Sequence, residues 1–271
     1  MLKENKILFL IVLYNKKIEE SQTILNLVKN SNFLLNDLII IWDNSPIPDN
    51  DESSLINLNY KIYRTPENIS LSDIYNKCID LYKNNYDYIW IFDDDSSIEV
   101  KMIELFKNTI SSNPNIKLFL PKVKVKNQIV SPGKFIFIKA KYFKQNISGI
   151  IPSKGIIGIM SGTCISMNFF IKYKYTFDTQ LKIYGIDTKF YLDYCQKEDK
   201  LFVIDYEMQH DLSFFTETNI DKIILKYKDH ITSLRKVIGK KSLFHYLFLE
   251  LYINYLSIKY ALKYKNSKFL F

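Results

Sequence analysis

Short apolar runs that stop abruptly at polar or acidic residues recur along the first hundred positions. Ile7–Leu13 ends at Tyr14-Asn15, Leu38–Trp42 ends at Asp43-Asn44-Ser45-Pro46, and Tyr88–Phe92 ends in three carboxylates, Asp93, Asp94 and Asp95. Unbroken apolar runs of this length, bounded by charge, suit strands buried on both faces of a parallel sheet. A shorter strand is expected over Tyr60–Tyr63. Between the strands, Glu19–Asn30 sets Ile24, Leu27 and Val28 at helical spacing, and Asn68–Tyr82 aligns Leu71, Ile74, Tyr75, Cys78, Ile79 and Tyr82 on one face. This alternation predicts an α/β fold of the doubly wound, Rossmann-like kind. Right-handed crossovers would then bring the strand ends to one edge, so that Asn15, Asp43 and Asp93–Asp95 line a single crevice.

Further along, strands are expected at Gly158–Met160 and Leu201–Asp205, and a helix opens near Asp187, where a cap is an alternative role for that acid. From Ser242 to Lys265, Leu243, Tyr246, Leu247, Leu251, Ile258 and Leu262 mark a helix with aromatic and aliphatic residues around most of its circumference. His245, Glu250, Asn254 and Lys259 interrupt it, which argues against a transmembrane span.

Charge singles out the same tail. The chain of 271 residues carries a formal +8, and Lys222–Lys268 holds 11 Lys/Arg against two acids, whereas residues 1–221 hold 26 against 27. A basic, aromatic helix over 240–268 fits contact with an anionic inner-membrane surface, in a protein that is otherwise cytoplasmic. The competing reading packs it on the α/β domain or on a twin subunit, as a homodimer, with its lysines solvated. Nucleic acid ranks lower, because the positive charge is mixed with large apolar side chains.

Composition adds little beyond this. Seven Gly and seven Pro leave small room for linkers, and Cys78, Cys164 and Cys195 lack metal-ligand spacing and fit buried thiols in a reducing compartment. Ile7–Leu13 sits at the short limit for a signal peptide, with no small-residue cleavage site after it.

Asp93–Asp95 is the strongest chemical signal. Along an extended backbone Asp93 and Asp95 point to one side, and carboxylates held together call for a cation, for which Mg²⁺ or Mn²⁺ with phosphate co-ligands is the natural guest. A solvated acidic turn is the plain alternative. Asp93-x-Asp95-x-Ser97 also matches the nucleophile loop of haloacid dehalogenase-type phosphatases, but that loop ends the first strand of its domain and this one ends about the fourth.

Four pieces in order carry a resemblance: Val12-Leu13-Tyr14-Asn15, Trp42-Asp43-Asn44-Ser45, Asn68 through Asn76, and Phe92-Asp93-Asp94-Asp95. They resemble the family 2 inverting glycosyltransferases, of GT-A fold, with Ser70 standing where that family usually has glycine. Gly162-Thr163, Phe177-Asp178, Tyr184 through Leu192 and His210-Asp211-Leu212-Ser213 extend the resemblance to residues 5–215, with Ile186 in place of the first of two acids. The resemblance implies a mixed, mostly parallel sheet flanked by helices. Residues 1–97 would form the nucleotide-sugar half, 98–220 the acceptor half, and 221–271 a helical tail.

It also implies roles. Asp93 and Asp95 would hold Mn²⁺ or Mg²⁺, with His210 completing the shell. Tyr14, Asn15, Asp43, Asn76, Asp93 and Asp94 would line the donor site, Asp43 reaching the base and Asp93 and Asp94 adding ribose contacts. Asp187 would be the catalytic base. The implied donor is a nucleotide-diphosphate sugar and the acceptor a glycan or lipid-linked glycan of a bacterial surface polymer. A GT-A-fold scaffold without turnover is the alternative, on the strength of Ile186 and Ser70.

Overall fold

A computed structural model describes residues 5–48, 51–125, 128–143, 146–209, 219–239 and 242–270. The four expected N-terminal strands are present as β1 (Ile7–Leu13), β2 (Leu38–Asp43), β3 (Tyr60–Arg64) and β4 (Tyr88–Asp93). All three contacts among them are parallel, with β1 between β2 and β4 and β3 outside β2. Their apolar runs are buried because helices cover both faces. On one face lie α1 (Gln22–Lys29) and α3 (Val100–Ser112), whose Ile24, Leu27, Ile103 and Phe106 pack with Phe9, Trp90 and Phe92. On the other, α2 (Leu71–Tyr82) packs Ile74, Tyr75, Cys78 and Ile79 against Leu8, Leu10, Ile40 and Ile91.

The helix starts lie later than the periodicity predicts. Glu19 and Glu20 belong to a 3₁₀ turn, and α1 begins after Ser21, whose hydroxyl accepts the Ile24 N–H. Similarly, α2 begins after Ser70, whose hydroxyl accepts the Asp73 N–H at 3.1 Å. Ser70 has φ −66°, so no glycine is needed there; the left-handed residue of this turn is Asn68, at φ 51°.

The sheet continues across the second half, in the order β3-β2-β1-β4-β11-β5-β12-β9, with β6 beside β5. Here β5 is Leu118–Val125, β6 Gln128–Ser131, β9 Gly149–Pro152, β11 Cys164–Ser166 and β12 Lys200–Gln209. The short β11 runs antiparallel to both β4 and β5, which departs from a purely parallel core, while β12 is again parallel to β5. A smaller three-stranded sheet is formed by β10 (Ile156–Ile157), β7 (Gly133–Ile136) and β8 (Lys139–Tyr142).

The strand expected at Gly158–Met160 is not one. Gly158 lies against the Tyr191 ring, where a Cβ would meet the phenol oxygen at 2.5 Å, and the segment follows that side chain instead of a ladder. The remaining helices are α4 (Met167–Tyr173), α5 (Ile186–Tyr194), α6 (Ile220–Val237) and α7 (Leu243–Tyr264). Arg235 of α6 grips Glu250 of α7 with two hydrogen bonds of 2.7 Å.

Candidate active site

Parallel strands end together, so β1, β2 and β4 deliver Tyr14-Asn15, Asp43-Asn44-Ser45 and Asp93–Asp95 to one edge. Hydrogen bonds join these ends. The Asn15 N–H donates to Ser45 Oγ at 2.8 Å, and the Asn44 N–H donates to the Leu13 carbonyl at 2.9 Å. Asn15 holds φ 52°, a left-handed turn that short polar side chains tolerate. Tyr14 is half exposed at this rim. Asp43 is fully buried and accepts the Ser45 N–H at 3.0 Å. Behind it the Asn44 side chain accepts from Thr65 Oγ1 and the Ile69 N–H and donates to the Ile69 carbonyl, pinning the loop that leads into α2.

The acidic segment leaves the strand earlier than alternation along an extended chain assumes. β4 ends at Asp93, and the backbone turns through Asp94-Asp95. The turn is clamped from α1: Thr23 Oγ1 donates to the Asp93 carbonyl and accepts the Ser96 N–H, and Ser21 Oγ donates to the Asp94 carbonyl at 2.8 Å. On the other side Ser161 Oγ accepts the Asp93 N–H at 3.0 Å and meets Ser96 Oγ at 2.7 Å. The Asp94 carboxylate turns toward Lys16, at 3.0 Å. Thr23, Ser161 and Lys16 escaped the sequence reading; for Lys16 its place directly after Asn15 was the available signal.

Asp187 arrives from the second half of the chain. It is the second residue of α5, whose cap position is Gly185 at φ 81°, so Asp187 is not the cap. Its carboxylate accepts the Thr188 N–H at 2.7 Å, and burial pushes its pKa above the usual carboxylate value against that bond. Burial raises the phenol of Tyr75, on α2, well above the ordinary value, and the charges of Asp93 and Asp187 both add to the rise. Next to Asp187 the Tyr191 hydroxyl pairs with Thr163 Oγ1 at 3.0 Å, and the Thr163 carbonyl accepts from Ile91 of β4. The α5 helix is thereby fixed to the strand that carries the acids.

Asn76, expected at the donor site, has different surroundings. Both amide atoms of Asn76 are engaged by the Phe177 backbone, accepting its N–H at 2.7 Å and donating to its carbonyl at 2.9 Å. Ile186, where the resembled family carries an acid, is buried in the core. His210 lies outside the described residues.

Among the described residues no three His, Cys, Asp or Glu side chains gather as a self-sufficient metal site. The donor set at the edge, Asp93 and Asp95, is nevertheless of the right kind for Mg²⁺ or Mn²⁺, which take one or two carboxylates and complete their shell with phosphate and water oxygens. Two clefts of about 420 and 430 Å³ open at the other edge of the sheet, beside Ile7 and Lys107 and beside Pro114 and Asp199, away from all of these groups.

No family model matches the chain. No curated protein matches it either. Among solved structures it is similar to S. aureus TarS residues 1–349, at 13% identity and a TM-score of 0.54, covering 86% of this chain and 66% of that one. It is also similar to GalNAc-T7 with UDP, GalNAc and Mn²⁺, at 15% identity and a TM-score of 0.56, covering 77% of this chain and 44% of that one. TarS 1–349 in complex with UDP aligns at 12% identity with a TM-score of 0.52. The chain thus spans about two thirds or less of these structures, and the likeness establishes a GT-A fold.

Proposed function

We propose that this chain is an inverting glycosyltransferase of the family 2 type, which moves a sugar from a nucleotide-diphosphate donor to a hydroxyl of a glycan or lipid-linked glycan. The observation that carries the proposal is the joining of the two halves at β4: Asp93 ends that strand where β1 and β2 also end, and α5, which bears Asp187, is tied to it through the bond of Tyr191 to Thr163, whose carbonyl accepts from Ile91. One acid follows the donor-side strand; the other is held, part-buried and with a raised pKa, on a helix of the acceptor side.

In this reading residues 1–97 bind the donor and 98–220 the acceptor. Asn15 and Tyr14 border the nucleotide site, and Asp43, fully buried and fixed by the Ser45 N–H, holds the end of β2 beneath the base. Asp94 and Lys16 shape the rim beside the ribose and diphosphate. Asp93 and Asp95 would hold Mn²⁺ or Mg²⁺, with His210 as a further ligand, and the ion when bound would supply positive charge against the departing diphosphate. Asp187 accepts the proton of the acceptor hydroxyl as its oxygen attacks the anomeric carbon. The carbon–oxygen bond to the diphosphate breaks, its electron pair stays on the phosphate, and the anomeric centre inverts. The complexes of similar folds with UDP make UDP the first nucleotide to try.

The test is calorimetric binding of UDP, GDP, dTDP and CDP with and without Mn²⁺, on the wild type and on Asp95→Ala. Mn²⁺-dependent binding of one nucleotide, lost in the variant, is the expected result. Absence of binding for all four overturns the proposal in favour of a GT-A-fold scaffold.

A further inference from the structure

The outer face of α7 carries an apolar seam. Phe244, Phe248, Leu251, Tyr255, Ile258 and Leu262 follow one another at alternating steps of four and three residues along a helix of 22 residues. They are between 47% and 74% exposed. The opposite face is already spent. Leu249, Ile253 and Ser257 are buried, Ser257 pairs with Tyr227 of α6, and Glu250 is held by Arg235. A helix apolar on both sides belongs in an interior, so the seam calls for cover. Among the described residues no helix is long and apolar enough to cross a membrane.

The surface extends beyond the helix. Phe137, in the turn between β7 and β8, packs edge-on against Phe244 and Phe248 with ring centroids 5.9 and 5.2 Å apart, and all four residues of β8 are exposed. Lys139 of β8 sits over the Tyr252 ring at 4.3 Å. Residues 128–143 carry three lysines and no acid; residues 242–270 carry four lysines and only Glu250, which Arg235 neutralises. A second copy laid on this face, parallel or antiparallel, would bring lysines without carboxylates to meet them. An anionic sheet of lipid headgroups over an apolar interior satisfies both features together.

We infer that α7 and the β7–β8 hairpin form a docking surface for an anionic lipid membrane, with the seam in the acyl boundary and Lys139, Lys141, Lys259 and Lys263 at the headgroups. The hairpin pairs through β7 with β10, which packs on α5, the helix that bears Asp187. Combined with the glycosyltransferase reading, on which this last step rests, the surface selects an acceptor carried by a membrane lipid.

Sedimentation with vesicles of equimolar phosphatidylglycerol and phosphatidylcholine, compared with phosphatidylcholine alone, tests the docking without any donor or acceptor. The full chain should bind the anionic vesicles only and run as a monomer in sedimentation velocity. Lys139→Glu/Lys259→Glu should lose roughly tenfold or more in binding, as should raised salt. Leu251→Glu/Ile258→Glu should lose it as well, with an unchanged melting temperature because both sites are exposed. No binding to anionic vesicles, binding indifferent to the lysine reversals, or a dimer that the seam variant dissolves would each overturn the inference. Nucleotide binding, measured separately, keeps its failure distinct from failure of the transferase reading.

Discussion

At Asp187 two local influences oppose each other. Helix N-terminal position and the Thr188 N–H favour the anion, while burial disfavours it, and burial prevails. The folded state therefore binds this proton more tightly than the unfolded chain. Its contribution to stability is present below the unfolded value and falls as pH rises through the interval up to the raised folded value. Asp187→Asn should accordingly raise the melting temperature slightly at neutral pH while turnover drops by about 10²–10⁴. A loss of both would show that the bond to Thr188 outweighs the burial cost. The acid limb of the wild-type rate profile should also lie above the ordinary aspartate value of about 3.9.

The elements depend on a few polar anchors at their ends. Ser70 caps α2, so Ser70→Ala should cost about 1 kcal/mol in urea unfolding and Ser70→Gly only a few tenths. That ranking would show that the residue works as a cap and that the turn needs no glycine at this point. At the far edge, Asp37 is fully buried, accepts the Ile7 N–H at 3.0 Å and pairs with Lys107 of α3 at 2.6 Å. Removing the cation takes away the Lys107 charge from a buried carboxylate that keeps its backbone bond to Ile7. Lys107→Ala should cost toward the lower end of roughly 3–5 kcal/mol, because the lysine is itself partly exposed. An effect under half of that, read from the denaturation midpoint, would place the anchor in the backbone bond instead.

On the scale of the whole molecule, the proposed donor site is assembled from β1, β2, β4 and the α1 clamp, all in the first hundred residues, and α5 is held to β4 from the second half through Tyr191 and Thr163. A ligand bridging these pieces should stabilise the fold as a unit. The matching nucleotide with Mn²⁺, at a hundred times its dissociation constant, should add about 2.7 kcal/mol to unfolding. EDTA or Asp95→Ala should abolish the increment, as read by thermal shift. An increment that survives chelation would detach the metal from donor binding.

The N-terminal architecture was legible because its causes are local. Buried parallel strands read as unbroken apolar runs, helices as a 3.6 period, and both signals sit within a few consecutive residues around Ile7–Leu13, Leu71–Tyr82 and Tyr88–Asp93. The second half hides its central strand. β5 contains Pro121 and the buried Lys122, which break the apolar run; the proline is tolerated because β11 has already ended and the Gly162 loop lies opposite it, and the lysine because Asp205 and Asn146 receive it. Neither compensation can be read from β5 itself. The same holds for the site. Three acids at the end of β4 follow from the sequence, but the turn of Asp94 toward Lys16, the clamp by Thr23 and Ser161, and the tie of α5 to Thr163 through Tyr191 follow only from the packing of segments 28 to 78 residues apart. Local periodicity determines which residues lie in strands and helices; contacts between distant segments decide which side chains share a space.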